Sequence, residues 1–220
     1  MVTKTGTAAE LIPQNATLDV LRRKAADCKA CDLWTRATQT VFGDGEQQSG
    51  VMLIGEQPGD AEDIAGKPFV GPAGKLLDRA LQEAGIDREQ AYITNAVKHF
   101  NWSETRGKRR IHKKPNARQM AACKPWLEAE ISVLRPSVIV LLGSTAAQQL
   151  LGPGFSVMKN RGVLIESALA PNVIATVHPS SILRAPDDES REHAMQAFID
   201  DLRNVAPLLK AETAPAGAAG

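Results

Sequence analysis

Four short apolar runs recur along this chain, at Val51 to Gly55, Ala91 to Asn95, Val138 to Leu142 and Val173 to Val177, with segments of helical period between them. Short runs of this kind predict strands buried on both faces. The intervening segments carry apolar residues at helical spacing: Leu18, Leu21 and Ala25 within Thr17 to Cys28, and Leu77, Ala80, Leu81 and Ala84 within Gly74 to Ala84. Gly85 is placed to close the second of these by taking a left-handed conformation. Further helices are predicted over Ala117 to Leu134, from a cap at Ser144 to Leu151, and over Glu189 to Leu209. Strands that alternate with helices pair in parallel and are covered on both faces. The fold class is therefore α/β, a three-layer α/β/α sandwich around a central four-stranded, mostly parallel sheet.

The 220 residues, 43% of them hydrophobic, suffice for one sizeable core and one domain, expected over residues 17–209. Residues 1–16 read as a flexible N-terminal arm. From Ala211 onward the chain holds only Ala, Pro, Gly and Thr with one Glu, so residues 210–220 read as a disordered tail. No apolar stretch approaches the ~20 residues that cross a bilayer, and Met1 to Gln14 lacks the apolar core of a secretory signal. A cytoplasmic location is expected, with no membrane association.

Two motifs fall at strand ends. Gly55-Glu56-Gln57-Pro58-Gly59 follows the first predicted strand, and His178-Pro179-Ser180 follows the fourth. The carboxyl edge of a parallel sheet is where loops converge on ligands, so a carboxylate, an amide and an imidazole are expected in one site. No Gly-x-Gly-x-x-Gly follows the first strand, which argues against a dinucleotide. The net charge is only +1, yet Lys98 to Arg118 holds eight Lys or Arg residues and a single acid, Glu104. Such a segment suits a phosphate backbone, or is simply a solvated loop. Cys28 and Cys31 have ligand spacing, and with Cys123 and His99 they form a set for tetrahedral zinc or an iron–sulfur cluster. The alternative reading of the same residues is buried reduced cysteines and a surface histidine.

Gly55-Glu56-Gln57-Pro58-Gly59, Phe69-Val70-Gly71-Pro72-Ala73-Gly74, Tyr92-Ile93-Thr94-Asn95, Leu141-Leu142-Gly143 and His178-Pro179-Ser180 occur in an order that resembles the family 4 uracil-DNA glycosylases, from about Cys28 to Arg203. Two departures are similar to the UdgX branch, whose members become covalently attached to uracil-containing DNA. Gln57 stands where the usual family 4 protein has a small residue, and Lys108 to His112 is an insertion. The resemblance implies a [4Fe-4S] cluster on Cys28, Cys31, His99 and Cys123, with His99 where ordinary members have a fourth cysteine. It also implies uracil-containing DNA, single-stranded DNA favoured, and uracil as partners of a monomer. Gly55, Asp60, Phe69, Asn95, Arg110 and Ser180 are the residues it assigns to substrate binding.

Residue chemistry bears on the same positions. A base must leave the stack to be processed, and Phe69 is placed to stack on it or to serve as core. Reading uracil takes a group that donates to O4 and accepts from N3–H, which the Asn95 amide does. His178 is placed to donate to the departing O2, with Glu56 and Gln57 orienting sugar or nucleophile. His112, if neutral, competes with water for the sugar carbon C1′. Its cationic neighbours Lys108, Arg109, Arg110, Lys113 and Lys114 are expected to lower its pKa, with Glu56 holding one ring nitrogen. The expected outcome is a single-turnover enzyme trapped through His112. The alternatives are a multiple-turnover glycosylase in which His112 contacts DNA, and a non-enzymatic binding module.

Overall fold

The computed structural model describes residues 6–107 and 109–213. Its strands are β1 (Val51–Gly55), β2 (Ala91–Asn95), β3 (Trp102–Arg106), β4 (Arg109–His112), β5 (Val138–Leu142), β6 (Leu164–Ile165) and β7 (Asn172–Thr176). The helices are α1 (Leu18–Ala26), α2 (Asp60–Ala65), α3 (Pro72–Ala84), α4 (Ala117–Leu134), α5 (Ser144–Leu151), α6 (Val157–Asn160), α7 (Pro179–Ile182), α8 (Asp188–Arg203) and α9 (Ala206–Thr213).

Strands bury both faces because their side chains alternate between two helical layers. Val51, Leu53, Val138, Val140 and Leu142 pack against Leu77 and Leu81 of α3 and Phe198 and Leu202 of α8. Met52, Ile54, Ile139 and Leu141 pack the other way, against Leu127 and Leu134 of α4 and Ala146 and Ala147 of α5. Each Val, Leu, Ile, Met or Phe among them contributes roughly 1.5–3 kcal/mol on burial, so the sandwich is held from both sides. A third cluster gathers Leu21, Ala25, Cys28, Cys31, Phe42, Cys123 and Trp126. Ala8, in a short 3-10 turn at Ala8–Leu11, is fully buried there, so part of the expected arm packs on the domain.

The central sheet has five strands, not four, in the order β2–β1–β5–β7–β6. Its first four strands are parallel, and β6 adds an antiparallel edge. With two residues, β6 is too short to display a period. A second difference is larger: the segment read as a cationic loop is a β3–β4 hairpin, in which Trp102 pairs with His112 and Thr105 with Arg110. Its residues are mostly polar, so no apolar alternation announced it. Lys108 lies outside the described residues.

Helix ends follow local chemistry. Gly85 closes α3 with φ +76° as expected. Gly143, not Ser144, is the cap of α5, and no side chain bonds there. The last predicted helix breaks at Asn204 and Val205 into α8 and α9, and the Asp187 carboxylate caps α8 by accepting from Ser190 N at 2.7 Å. Since α9 runs to Thr213, the first residues assigned to the tail are helical; residues 214–220 lie outside the described residues. Among the described residues no helix is long and apolar enough to cross a membrane.

Parallel pairing brings the carboxyl ends of β1, β2, β5 and β7 to one edge, Gly55 level with Asn95 and Leu142 level with Thr176. β2 and β5 flank β1 on opposite sides, so the chains leaving β1 and β5 diverge and open a crevice.

Candidate active site

Two groups meet above Gly55. A Cβ on Gly55 would collide with Asn95 Oδ1 and lie 2.6 Å from the Phe69 ring, so the residue is glycine because an amide and an aromatic wall close over it. Asn95 is buried, and its Oδ1 has no hydrogen-bond partner among the described residues. A buried acceptor without a donor is costly unless a ligand supplies one. Phe69 holds a left-handed backbone at φ +56°, an unfavourable conformation for a bulky residue that the surrounding loop enforces. That loop is stapled by Glu62, whose carboxylate accepts from Gly71 N at 2.8 Å and from Gly59 N at 3.1 Å.

His178 faces the same wall, its ring centroid 5.8 Å from that of Phe69. Gly143, at φ +91°, allows the approach, since a Cβ there would lie 2.8 Å from His178 Cβ. Ser180 N donates to His178 Nδ1 at 3.1 Å, with the Ser180 hydroxyl 2.9 Å from the same nitrogen. An Nδ1 that accepts leaves the ring proton on Nε2. Burial lowers the His178 pKa to about 4, with His112 and Arg184 adding to the effect, so the ring is a neutral donor at neutral pH.

Glu56 lies between two elements. The Thr145 hydroxyl at the start of α5 donates to its Oε2, while Oε1 is 3.3 Å from His112 Nε2. Nothing in the sequence singled out Thr145. His112 keeps 49% of its side-chain surface open. Its pKa is lowered, first by the burial of the remainder and then by Arg184, while Glu56 opposes. Among the described residues the cation that acts on it is Arg184, in the loop after α7, and not the expected Arg110, Lys113 or Lys114; Lys108 and the Arg109 side chain lie outside the described residues.

Gln57 and Arg110 are engaged by the protein itself. The buried Gln57 amide accepts from Asn101 N at 3.2 Å and donates to Asn101 O at 3.3 Å and Lys113 O at 3.1 Å. It therefore clamps both legs of the β3–β4 hairpin. Arg110 bonds Asp60 and, at 2.7 Å, Asp63, and its guanidinium lies 5.2 Å from the Phe100 ring. Asp60 and Arg110, both expected to bind substrate, are joined to each other. Lys98, counted among the basic residues, is 1% exposed and paired with the fully buried Glu130.

The four expected ligands sit on neighbouring segments. Cys28, Cys31 and Cys123 share the third apolar cluster. Trp126 Nε1 donates to Cys28 Sγ at 3.3 Å and Lys98 N to Cys123 Sγ at 3.2 Å, the kind of N–H to sulfur bonding that tunes iron–sulfur sites. Burial pushes the Cys31 thiol up to about 11 and that of Cys123 to about 12. Cys28 adds to the rise at Cys31, and Cys31 and Cys28 both add to the rise at Cys123, which marks their proximity. The buried His99 follows Lys98, and burial lowers its pKa to about 4. Thr40 gives its hydroxyl proton to Ala25 O at 2.8 Å and so accepts from His99 Nε2 at 2.9 Å, leaving the lone pair on Nδ1. Three buried thiols in one apolar cluster, with a buried neutral imidazole on the segment that bonds Cys123, are donors of the type an iron–sulfur cluster takes. Among the described residues no three such groups stand at the spacing of a single metal ion.

Fold and crevice define an α/β protein with a candidate ligand site at the switch point of a mostly parallel sheet. Within that class the chain belongs to the uracil DNA glycosylase superfamily, whose profile matches residues 42–203. A Type-4 uracil-DNA glycosylase of Thermotoga maritima is 35% identical over 196 residues, covering 89% of this chain and 96% of that protein. Those of Sulfurisphaera tokodaii (34% over 179 residues, 78% of each chain) and Pyrobaculum aerophilum (34% over 176 residues, 77% and 86%) are also similar.

Proposed function

We propose that the protein is a uracil-DNA glycosylase of the UdgX type, which excises uracil from DNA and then joins His112 to C1′ of the deglycosylated sugar. Asn95 Oδ1 accepts the N3–H of flipped uracil and its amide N–H donates to O4. Cytosine has no N3 proton and carries an amino group at C4, so it leaves buried partners unpaired at about 1–3 kcal/mol each. As the glycosidic bond breaks, its electron pair passes to uracil N1. The neutral His178 donates Nε2–H to O2, where the charge gathers. The sugar cation then takes the lone pair of the His112 imidazole, and the remaining ring proton moves toward Glu56. The product is a neutral N-alkyl imidazole, a poor leaving group, so the adduct persists.

The observation that carries this reading is the 3.3 Å approach of His112 Nε2 to Glu56 Oε1, beside the cleft of His178. We also infer a [4Fe-4S] cluster on Cys28, Cys31, Cys123 and His99; when bound it ties the two cysteine segments together, and no step of the reaction passes through it. Iron and sulfide content test that part, and zinc in their place would overturn it. The trap is tested by mixing excess uracil-containing single-stranded DNA with the protein and running a denaturing gel. One DNA strand is expected to stay with each chain. His112→Ser is expected to lose the adduct and keep releasing uracil, since water then reaches the cation. A wild-type protein that turns over repeatedly and never migrates with DNA would leave a conventional glycosylase with His112 as a DNA contact.

A further inference from the structure

Trp102 stands across the hairpin from His112 in the strand register. Its indole N–H donates to the Arg36 carbonyl at 3.0 Å, and the Arg36 guanidinium covers the ring, 4.3 Å from the centroid. The same guanidinium donates to the Ser103 carbonyl at 3.1 Å, so Arg36 grips side chain and backbone of β3 together. From Trp102 a line of stacked groups leads to the nucleophile. The Arg110 guanidinium lies 5.8 Å from the indole and 5.2 Å from Phe100, whose ring is 6.2 Å from the His112 imidazole.

Among the described residues β3 and β4 pair only with each other and share no strand with the central sheet. Where His112 stands therefore depends on what docks the hairpin. Gln57 holds its base, and the Arg36–Trp102 pair holds its flank. We propose that Arg36 and Trp102 form a latch that sets the position of His112 over the sugar. Trp102 is then a positioning residue for trapping and not for base release. The inference rests on the reading of His112 as the trapping nucleophile.

The two steps differ in what they require. Base release draws on Asn95, Phe69 and His178, carried by the central sheet and its loops. Bond formation also needs the imidazole at near-attack distance, where a 1 Å misplacement costs on the order of 10²-fold in rate. Water needs no such alignment. A loosened hairpin therefore continues to release uracil but ends in free abasic strand.

The test is the partition ratio, free abasic product against adduct, measured with excess uracil-containing single-stranded DNA for wild type, Trp102→Ala and Arg36→Ala. Both variants are expected to shift the ratio toward free product by at least about tenfold, as a displacement of well under 1 Å would do, with single-turnover uracil release unchanged. Trp102→Phe, which keeps a ring beneath Arg36, is expected to restore most of the adduct. Arg36 is exposed, so its variant reads the latch even if Trp102→Ala folds poorly. Wild-type ratios in both alanine variants overturn the latch alone, as does a loss of uracil release in step with the adduct. A wild-type protein that forms no adduct removes the latch and the trapping reading together.

Discussion

Lys98→Met is the substitution whose cost the structure sets most directly. The Lys98 ammonium is 1% exposed and Glu130 is fully buried. Glu130 accepts from Lys98 Nζ, from Tyr92 OH at 2.8 Å, from Thr94 Oγ1 at 3.0 Å and from Gly43 N at 3.2 Å, while Lys98 also donates to Asn95 O at 2.8 Å. Removing the cation leaves a carboxylate in the core without its counter-charge, which costs about 3–5 kcal/mol. For a domain of this size each kcal/mol lowers Tm by roughly 2–4 °C, so a fall of about 6–20 °C is expected. Lys98→Met with Glu130→Gln removes both charges and keeps an acceptor for Tyr92 and Gly43. It is expected to recover at least half of the loss, the remainder being the undonated Asn95 carbonyl at about 1–3 kcal/mol. Urea unfolding followed by tryptophan fluorescence measures all three stabilities. Two results would refute the reasoning: a single-variant cost below about 1 kcal/mol, or a double variant no more stable than Lys98→Met alone.

Gln57→Ala removes three hydrogen bonds at the hairpin base; at about 1 kcal/mol each, amide exchange in β3 and β4 is expected to speed up roughly 10²-fold, and unchanged exchange would mean the hairpin is held elsewhere. The pH profile of adduct formation follows from the lowered pKa of His112, which faces Glu56, Arg184 and His178. A lowered pKa keeps the ring neutral as acidity rises, so the single-turnover trapping rate is expected to stay level from pH 8 down to 6.5 and to fall only below 6.5; a half-point above 6.5 would show that Glu56 outweighs burial and holds the ring as a cation.

Where burial shaped the sequence, the sequence was readable. Val51–Gly55, Ala91–Asn95, Val138–Leu142 and Ala117–Leu134 stand at the expected bounds, because two-sided burial writes itself as an unbroken apolar run and one-sided burial as a helical stripe. β7 begins one residue earlier, at Asn172, whose side chain and backbone both bond Ser137 O; a polar residue that starts a strand by bonding its neighbour carries no apolar signal. The site was legible as a set of residues and not as a set of partners. Gln57 was visible as an amide on the right loop, but its bonds go to carbonyls 44 and 56 positions away. Charge misled in the same manner, since Lys98 and Arg110 entered the count of basic residues and both are spent on internal carboxylates.

The hairpin shows why such partners escape a linear reading. A strand pair without an apolar face of its own has no period to display, so its stability must be supplied from outside. Here the suppliers are Gln57 on the first motif, Asp60 and Asp63 on α2, and Arg36 and Thr38 between the cysteine pair and β1. They come from three stretches of chain, and each meets the hairpin through one to three polar contacts. The position of His112 is thus the joint product of several weak ties. Mutations of Arg36, Thr38, Gln57, Asp60 and Asp63 are for that reason expected to alter how the reaction ends more than whether it begins.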